Sequence, residues 1–279
     1  MATPTTYYRP KTIEDAYERS QQPGAIALAG GALTLGTLDL PCETVIDVQD
    51  VPELRAIDMG EGGASFGAAC TLQQVLEWER LPHAIRRALT RVVPLNIRSG
   101  TSILESLRPP HNPMLRDWLA AIAAHDIGVR HFAPGEERWT NFSTMIMEPD
   151  AYERDFLVGI HIPAIPAGEA LGSAFVARTP ADNAIVNAAT YVYLNEGRRV
   201  ESVFSAICGA SREPVVMLTL DTLIGSPFDE ANIASAVKIV PPRVDPVTDY
   251  LGSAEYRREM ARVVVQRALL DCLEQLPPA

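Results

Sequence analysis

The sequence lacks the long apolar segments that would place it in a membrane or in a secretory pathway. No apolar stretch approaches the roughly 20 residues that a membrane-spanning helix needs. The opening residues, from Met1 to Pro4, do not form a basic segment followed by an apolar run, as a secretory leader would. We therefore expect a soluble chain with no membrane partner and a cytoplasmic location.

Clustered positive charge is also scarce. The chain carries 24 Lys and Arg residues against 35 Asp and Glu residues, for a formal net charge of -11. The nearest approaches to a basic cluster, Arg86-Arg87 and Arg257-Arg258, are short pairs within helix-like stretches. Because nucleic acid is bound through many clustered Lys and Arg side chains, this charge pattern argues against a nucleic-acid partner.

Patterns typical of metal sites and nucleophiles are missing as well. The cysteines, at positions 42, 70, 208 and 272, show no C-x-x-C spacing, and we expect most of them to be buried thiols. The five histidines form no H-E-x-x-H pattern, and no G-x-S-x-G pattern surrounds Ser99 or Ser102. The sequence therefore predicts no metal site and no catalytic residue.

What the chain does contain is a mixture of helix and strand patterns. With 279 residues it exceeds the roughly 100 to 200 residues of one usual core, so we expect more than one packed unit. Helices are predicted at Thr12–Ser20, Leu72–Trp78, Ala84–Val93, Leu115–Ala124, Val215–Ile224 and Ala254–Leu276. Strands are predicted at Ala25–Leu28, Thr44–Val48, Gly63–Ala69, Phe156–Ile162, Ala174–Ala177, Ala189–Leu194 and Val203–Ile207. The segment from Asn96 to Pro113 is predicted to be irregular.

Several short segments, taken in order, match landmarks of one protein family. They are Tyr8-Arg9-Pro10, Leu28-Ala29-Gly30-Gly31, Val45-Ile46-Asp47-Val48, Phe66-Gly67-Ala68, Ile97-Arg98, Val158 to Pro163, Ala184 to Ala189, and Tyr256-Arg257-Arg258. None is specific alone, but their order and spacing are. The chain resembles the FAD-binding medium subunit of molybdenum hydroxylases, the group that includes xanthine dehydrogenase and carbon monoxide dehydrogenase.

The resemblance implies an α+β fold, a cofactor and partners. It implies one FAD-binding subdomain at residues 1–55, a second at 56–165, and a C-terminal domain of antiparallel sheet and helices at 170–279. It also implies an iron-sulfur small subunit and a molybdopterin large subunit as partners. In such an oxidoreductase complex, FAD passes electrons from the iron-sulfur centres to an external acceptor.

Two loops of the family cradle the FAD diphosphate with backbone N–H groups, and glycines let the backbone come close. The first loop corresponds here to Leu28, Ala29, Gly30, Gly31, Ala32 and Leu33, in which the glycine pair is kept. The second corresponds to Thr101-Ser102-Ile103-Leu104-Glu105, where Ile103 and Leu104 replace glycines. We expect Ile103 to resist a positive φ, Leu104 to crowd the phosphates, and Glu105 to bring a carboxylate towards an anion.

Two further residues are weaker candidates for the FAD site. Arg98 could offer positive charge to a phosphate, although an arginine in such a place is as often a member of a structural ion pair. Asp182 stands where the family often carries an aspartate near the flavin or the partner face, but an ordinary turn explains it equally well. The glycine pair itself has a plain alternative, a tight turn that binds nothing.

Three functions remain open from the sequence. The first is an FAD-binding electron-transfer subunit of a molybdenum hydroxylase-type complex. The second is a flavin-free structural subunit, or divergent homologue, that kept the fold for contacts with partners. The third is an independent protein that binds a small molecule or a nucleotide outside any such complex.

Overall fold

The computed structural model describes residues 4–33, 42–109, 111–133 and 135–276. The chain forms two compact units that interleave in sequence. Residues 1–81, 93–112 and 127–164 form the first unit, and residues 82–92, 113–126 and 165–279 form the second. Segments 82–92 and 113–126, placed in the second subdomain by the sequence-based division, thus cluster with the C-terminal residues. The division at residue 55 stays a prediction.

The helices and strands of the described residues are numbered in chain order. The helices are α1 Ile13–Ser20, α2 Leu72–Leu76, α3 His83–Arg91, α4 Leu95–Gly100, α5 Ile103–Ser106, α6 Arg116–Ala124, α7 Phe142–Met147, α8 Pro149–Tyr152, α9 Glu230–Ala236 and α10 Ala254–Gln275. The strands are β1 Thr6–Tyr8, β2 Ala25–Leu28, β3 Thr44–Asp47, β4 Ile57–Gly60, β5 Gly63–Gly67, β6 Gly128–Ala133, β7 Glu136–Asn141, β8 Phe156–Pro163, β9 Glu169–Val176, β10 Val186–Leu194, β11 Val200–Cys208 and β12 Val216–Thr219.

The first unit contains a small parallel sheet with the order β1-β3-β2. Helix α1 begins where the Thr12 side chain accepts a hydrogen bond from the amide of Asp15, and it buries Ile13 and Ala16 against this sheet. The apolar strands β2 and β3 lie in register, with Ile26 beside Val45. Because parallel strands end at the same edge, the chain leaves β2 and β3 side by side, at Leu28 and Asp47.

A larger antiparallel sheet completes the first unit, with the order β4-β5-β8-β6-β7. Its strand β8 buries Phe156 and Val158 in the same core as the parallel sheet. Strands β4, β6 and β7 were not predicted from the sequence. Strand β7 is almost wholly exposed, so it lacks the alternating apolar pattern on which strand prediction depends.

The segment expected to be irregular contains two short helices, α4 and α5, so that prediction is wrong for residues 96–100 and 103–106. Helix α4 follows Pro94, a residue suited to the start of a helix. Helix α5 is capped by Ser102. The connection between them is held by tertiary bonds: the amide of Leu72 donates to the carbonyl of Thr101 at 3.0 Å. A pattern search along one segment cannot detect such pairing.

The second unit is an antiparallel sheet, β12-β11-β10-β9, with helices packed on it. The predicted strands in this region and the long final helix are confirmed, as is the α+β class. The predicted helix at Val215–Ile224 is wrong. Residues Val216–Thr219 pair with β11 instead, because an edge position was open beside Phe204–Ile207 and a β-branched residue suits it.

A buried arginine fastens the start of α10 to the sheet. Arg257 donates from Nη1 to the carbonyls of Ile185 and Gly209, each at 2.7 Å. Its Nη2 lies 2.6 and 2.7 Å from the two carboxylate oxygens of Asp249. Only 3% of the Arg257 side chain is exposed, so these bonds supply most of the contacts that its charge loses with water.

Replacing Arg257 with Met is therefore expected to lower the free energy of unfolding by about 2–4 kcal/mol, because two carbonyls and a carboxylate lose a charged donor. Chemical denaturation followed by circular dichroism measures this loss. The neighbouring Arg258→Met variant is the matched control, since among the described residues Arg258 makes no hydrogen bond or ion pair that joins the helix to the sheet. Equal losses in the two variants would contradict the role assigned to Arg257.

The same contact predicts a dependence on pH. Burial acts to raise the pKa of Asp249, but the hydrogen bonds from Arg257 and from the amides of Leu251 and Gly252 outweigh it and lower that pKa. A carboxylate with a depressed folded-state pKa stabilises the fold above its unfolded pKa and loses that contribution as the pH falls through the folded value. The melting-temperature gap between wild type and Arg257→Met should narrow below about pH 4. A constant gap at every pH would refute the ion pair.

Candidate functional site

The first candidate loop begins where strand β2 ends. Leu28 and Ala29 are buried, and Gly30 and Gly31 follow with φ angles of 105° and 85°. These left-handed conformations strain any residue with a Cβ atom, so the glycine pair has a structural reason to be there. The predicted turn at Gly30-Gly31 is thus present.

The second candidate loop lies beside the first. Thr101 and Ser102 are completely buried. The amides of Ile103 and Leu104 donate to the carbonyls of Cys70 (2.9 Å) and Ala68 (2.8 Å), which ties this segment to the start of α2. Ser102 then caps helix α5, accepting a hydrogen bond from the amide of Glu105.

Ile103 and Leu104 do not obstruct the loop in the way expected from the sequence. Both have right-handed helical conformations in α5, so no positive φ is forced on Ile103. Ile103 is completely buried, and Leu104 packs in the core with Ala27 and Ala29 beneath the first loop. The expectation that Leu104 would crowd the phosphates is therefore wrong: its side chain packs in the apolar core instead.

Glu105 is the residue that occupies the space between the loops. Its Oε2 atom accepts a hydrogen bond from the Gly31 amide at 3.1 Å, from the Ser102 amide at 3.2 Å and from the Ser102 hydroxyl at 3.2 Å. Glu105 is only 6% exposed. Three donors around one anionic oxygen are the arrangement that a phosphate oxygen would require, so the carboxylate occupies a phosphate-like seat. We call these three donors the anion seat.

The two loops also bond directly to each other. The amide of Ala32 donates to the carbonyl of Gly100 at 3.1 Å. A Cβ atom on Gly30 would lie 2.4 Å from the same carbonyl oxygen, and one on Gly100 would lie 2.8 Å from the Cβ of Ala32. Glycine at positions 30 and 100 is therefore what allows the loops to touch.

A half-buried arginine accompanies Glu105. Arg108 donates from Nη2 to the carbonyl of Ala27, and its Nη1 is buried without a hydrogen-bond partner within the described part of the chain. Burial lowers the pKa of the Arg108 guanidinium, while the negative charge of Glu105 acts in the opposite direction. The anion seat thus has an internal cation nearby. Sequence reasoning missed both this role of Arg108 and the capping-box signature of Ser102 and Glu105, which was visible in the sequence.

The remaining predicted site residues lie outside the anion seat. Arg98 donates to the side-chain oxygen of Gln73 at 2.5 Å and to the carbonyl of Val93 at 2.8 Å, which is a structural role. Asp182 belongs to the second unit, where its carboxylate lies 3.6 Å from Arg178. Leu33 is half-buried at the end of the first loop, next to residues 34–41, which lie outside the described residues.

Gly30 also borders a cavity of ≈ 490 Å³ at the edge of the parallel sheet. Leu28, Val45, Asp47 and Tyr7 contribute to its walls. The Tyr7 hydroxyl donates to the carboxylate of Asp47, and this hydrogen bond raises the pKa of Tyr7. The wall beside the glycine pair therefore carries a carboxylate and a phenol, a poor lining for an anion.

As placed, these residues do not fit a dinucleotide diphosphate. The three donors of the anion seat already share a carboxylate, and the loops on either side bond to each other without an intervening group. Two anionic oxygens cannot use the same donors, and their like charges repel at this range.

The described residues contain neither a cluster of metal-binding side chains nor a helix that could span a membrane. Among residues 4–33, 42–109, 111–133 and 135–276, no group of three or more His, Cys, Asp or Glu side chains is arranged to hold a metal ion. No helix in those ranges is both long enough and apolar enough to span a bilayer. All four cysteines are buried and unbridged, as expected.

Two family models match the chain in sequence order. One is described as the FAD binding domain in molybdopterin dehydrogenase and matches residues 3–165. The other is described as the CO dehydrogenase flavoprotein C-terminal domain and matches residues 174–272. Together they cover the sequence on either side of residues 166–173.

Individual proteins of related sequence or structure are also similar to this chain. The alpha subunit of the 6-hydroxypseudooxynicotine dehydrogenase complex of Paenarthrobacter nicotinovorans is 31% identical over 127 residues, a match that spans 44% of this chain and 42% of that relative. The carbon monoxide dehydrogenase medium chain of Afipia carboxidovorans is 26% identical over 94% of each chain. A structure of carbon monoxide dehydrogenase from Hydrogenophaga pseudoflava shares the fold, with a TM-score of 0.82, 20% identity, and coverage of 99% of this chain and 100% of that one.

The close contact between the two loops can be tested by substituting Gly30. Gly30→Ala is expected to lower the free energy of unfolding by about 2 kcal/mol or more, because it adds a clash with Gly100 to the cost of a positive φ. Gly135→Ala is the matched control: its φ is also positive, at 86°, but no atom lies within 4 Å of the added Cβ. Thermal unfolding distinguishes the two, and an equal change in both variants would show that the loops do not touch.

Proposed function

We propose that the chain is the medium subunit of an oxidoreductase complex of the carbon monoxide dehydrogenase type. The chain belongs to the family described as the FAD binding domain in molybdopterin dehydrogenase. One observation carries the proposal. The FAD-binding-domain model and the flavoprotein C-terminal model follow each other along the chain with only residues 166–173 between them. A carbon monoxide dehydrogenase medium chain aligns over nearly the whole of both sequences.

The first candidate role is the one that the family implies, an FAD-binding electron-transfer subunit. In such a subunit the cofactor does the redox chemistry, and the protein positions it and excludes competing reactions. The partners that we propose are an iron-sulfur small subunit and a molybdopterin large subunit. The glycine pair at Gly30-Gly31, with its left-handed backbone, is the feature of the first unit that supports this role.

The second candidate role is a flavin-free subunit that keeps the fold for contacts with the same partners. A specific observation favours it: the carboxylate of Glu105 occupies the anion seat. Both roles place the chain in the same kind of complex. They differ in whether the subunit carries a chromophore, so they can be separated by spectroscopy.

Purification of the tagged chain from its native host tests the proposed function. We expect iron and molybdenum to copurify in constant ratio with the chain, measured by elemental analysis of the fraction isolated by size exclusion. A visible flavin spectrum in that fraction assigns the first role, and its absence from a fraction that holds both metals assigns the second.

The control is the same tag on an unrelated host protein, which should recover neither metal. Recovery of the chain as a monomer without iron or molybdenum would overturn the proposal and favour the third function, a protein that acts outside any such complex.

A further inference from the structure

We infer that Glu105 is an internal competitor of the FAD diphosphate, and that FAD reaches the anion seat of this chain only by displacing the Glu105 carboxylate. The inference rests on the proposed function, because it takes FAD as the family's cofactor. It concerns a residue of this chain that determines affinity for that cofactor. It therefore goes beyond membership in the family.

All three donors of the anion seat form a hydrogen bond with the Glu105 carboxylate. All three hydrogen bonds converge on one atom, Oε2, at 3.1 to 3.2 Å. They come from two loops, with Gly31 and Glu105 separated by 74 positions in sequence. A phosphate oxygen at this position would accept hydrogen bonds from the same donors at similar distances. It would also carry a negative charge, as the carboxylate does. The carboxylate and a phosphate therefore exclude each other.

Local structure keeps the carboxylate in the seat. Ser102 and Glu105 form a capping box, in which the Ser102 side chain accepts from the Glu105 amide and the Glu105 side chain accepts from the Ser102 amide. To admit a phosphate, Glu105 must leave this box and carry its charge elsewhere. The nearby Arg108 attracts the carboxylate in its present position, which adds to the cost of displacement.

A second capping box in the same chain suggests a conservative variant of Glu105. Helix α2 begins with a second capping box, formed by Thr71 and Gln74, so a neutral glutamine fills the same position there. Glu105→Gln should therefore keep the cap of α5 and remove only the negative charge. Glu105→Gly removes the side chain and opens the anion seat.

The experiment is a titration of the full chain, freed of bound nucleotide, with FAD and separately with inorganic pyrophosphate, followed by isothermal calorimetry. We expect Glu105→Gln to bind both probes about tenfold more tightly than wild type, and Glu105→Gly about 100-fold more tightly. The matched control is Glu61→Gln in the exposed turn between β4 and β5, which makes the same change in net charge. It should bind like wild type.

A second measurement uses the folded wild-type chain. Amide NMR signals of Gly31 and Ser102 should stay in place when millimolar pyrophosphate is added to wild type and should shift in Glu105→Gln. Circular dichroism confirms that each variant is folded.

Equal affinities for FAD in wild type, Glu105→Gln and Glu105→Gly overturn the inference, whether that affinity is tight, weak or undetectable. Equal amide shifts in wild type and Glu105→Gln overturn it too. The content of iron and molybdenum in the native fraction tests the proposed function separately, so failure of one leaves the other standing.

Discussion

A buried carboxylate has to be matched by donors, and in this protein the match joins two distant loops. Glu105 draws the Gly31 amide, the Ser102 amide and the Ser102 hydroxyl to one oxygen atom. Leaving those groups unpaired inside the protein would cost about 1–3 kcal/mol for each of them. The positive φ angles of the glycine pair and the close approach to Gly100 are compatible with the same contact. The local shape of the first unit depends on this interaction.

Elements with a local signal could be predicted from the sequence. Helix α1 carries its cap at Thr12, and the apolar strand β2 ends at a glycine pair, so each is readable from a few neighbouring residues. Strand β12 was mistaken for a helix because its four residues have no alternation, and only pairing with β11 decides their conformation. Strand β7 was missed because it buries almost nothing. Tertiary contacts decided both cases.

The candidate site was predictable in its parts and not in their arrangement. Gly30 and Gly31 adopt the left-handed backbone that their position in the first loop suggests. Glu105 was expected to bring a carboxylate towards an anion, but one sequence does not show that its partner is the amide of Gly31. Arg108 lay within a proline-rich run that showed no pattern, and its contact with Ala27 crosses 81 positions. Long-range contacts of single side chains leave no periodic trace in a sequence.

The source of the anion determines how the fold is stabilised. A bound ligand stabilises the folded state only in proportion to its concentration relative to its dissociation constant. An intramolecular carboxylate is present at every concentration, so the donors of Gly31 and Ser102 are satisfied before any cofactor arrives. These donors therefore do not need a diphosphate to complete their own hydrogen bonding. Family membership describes the fold that this chain shares with its relatives, whereas the chemistry available between its loops is decided by one side chain, that of Glu105.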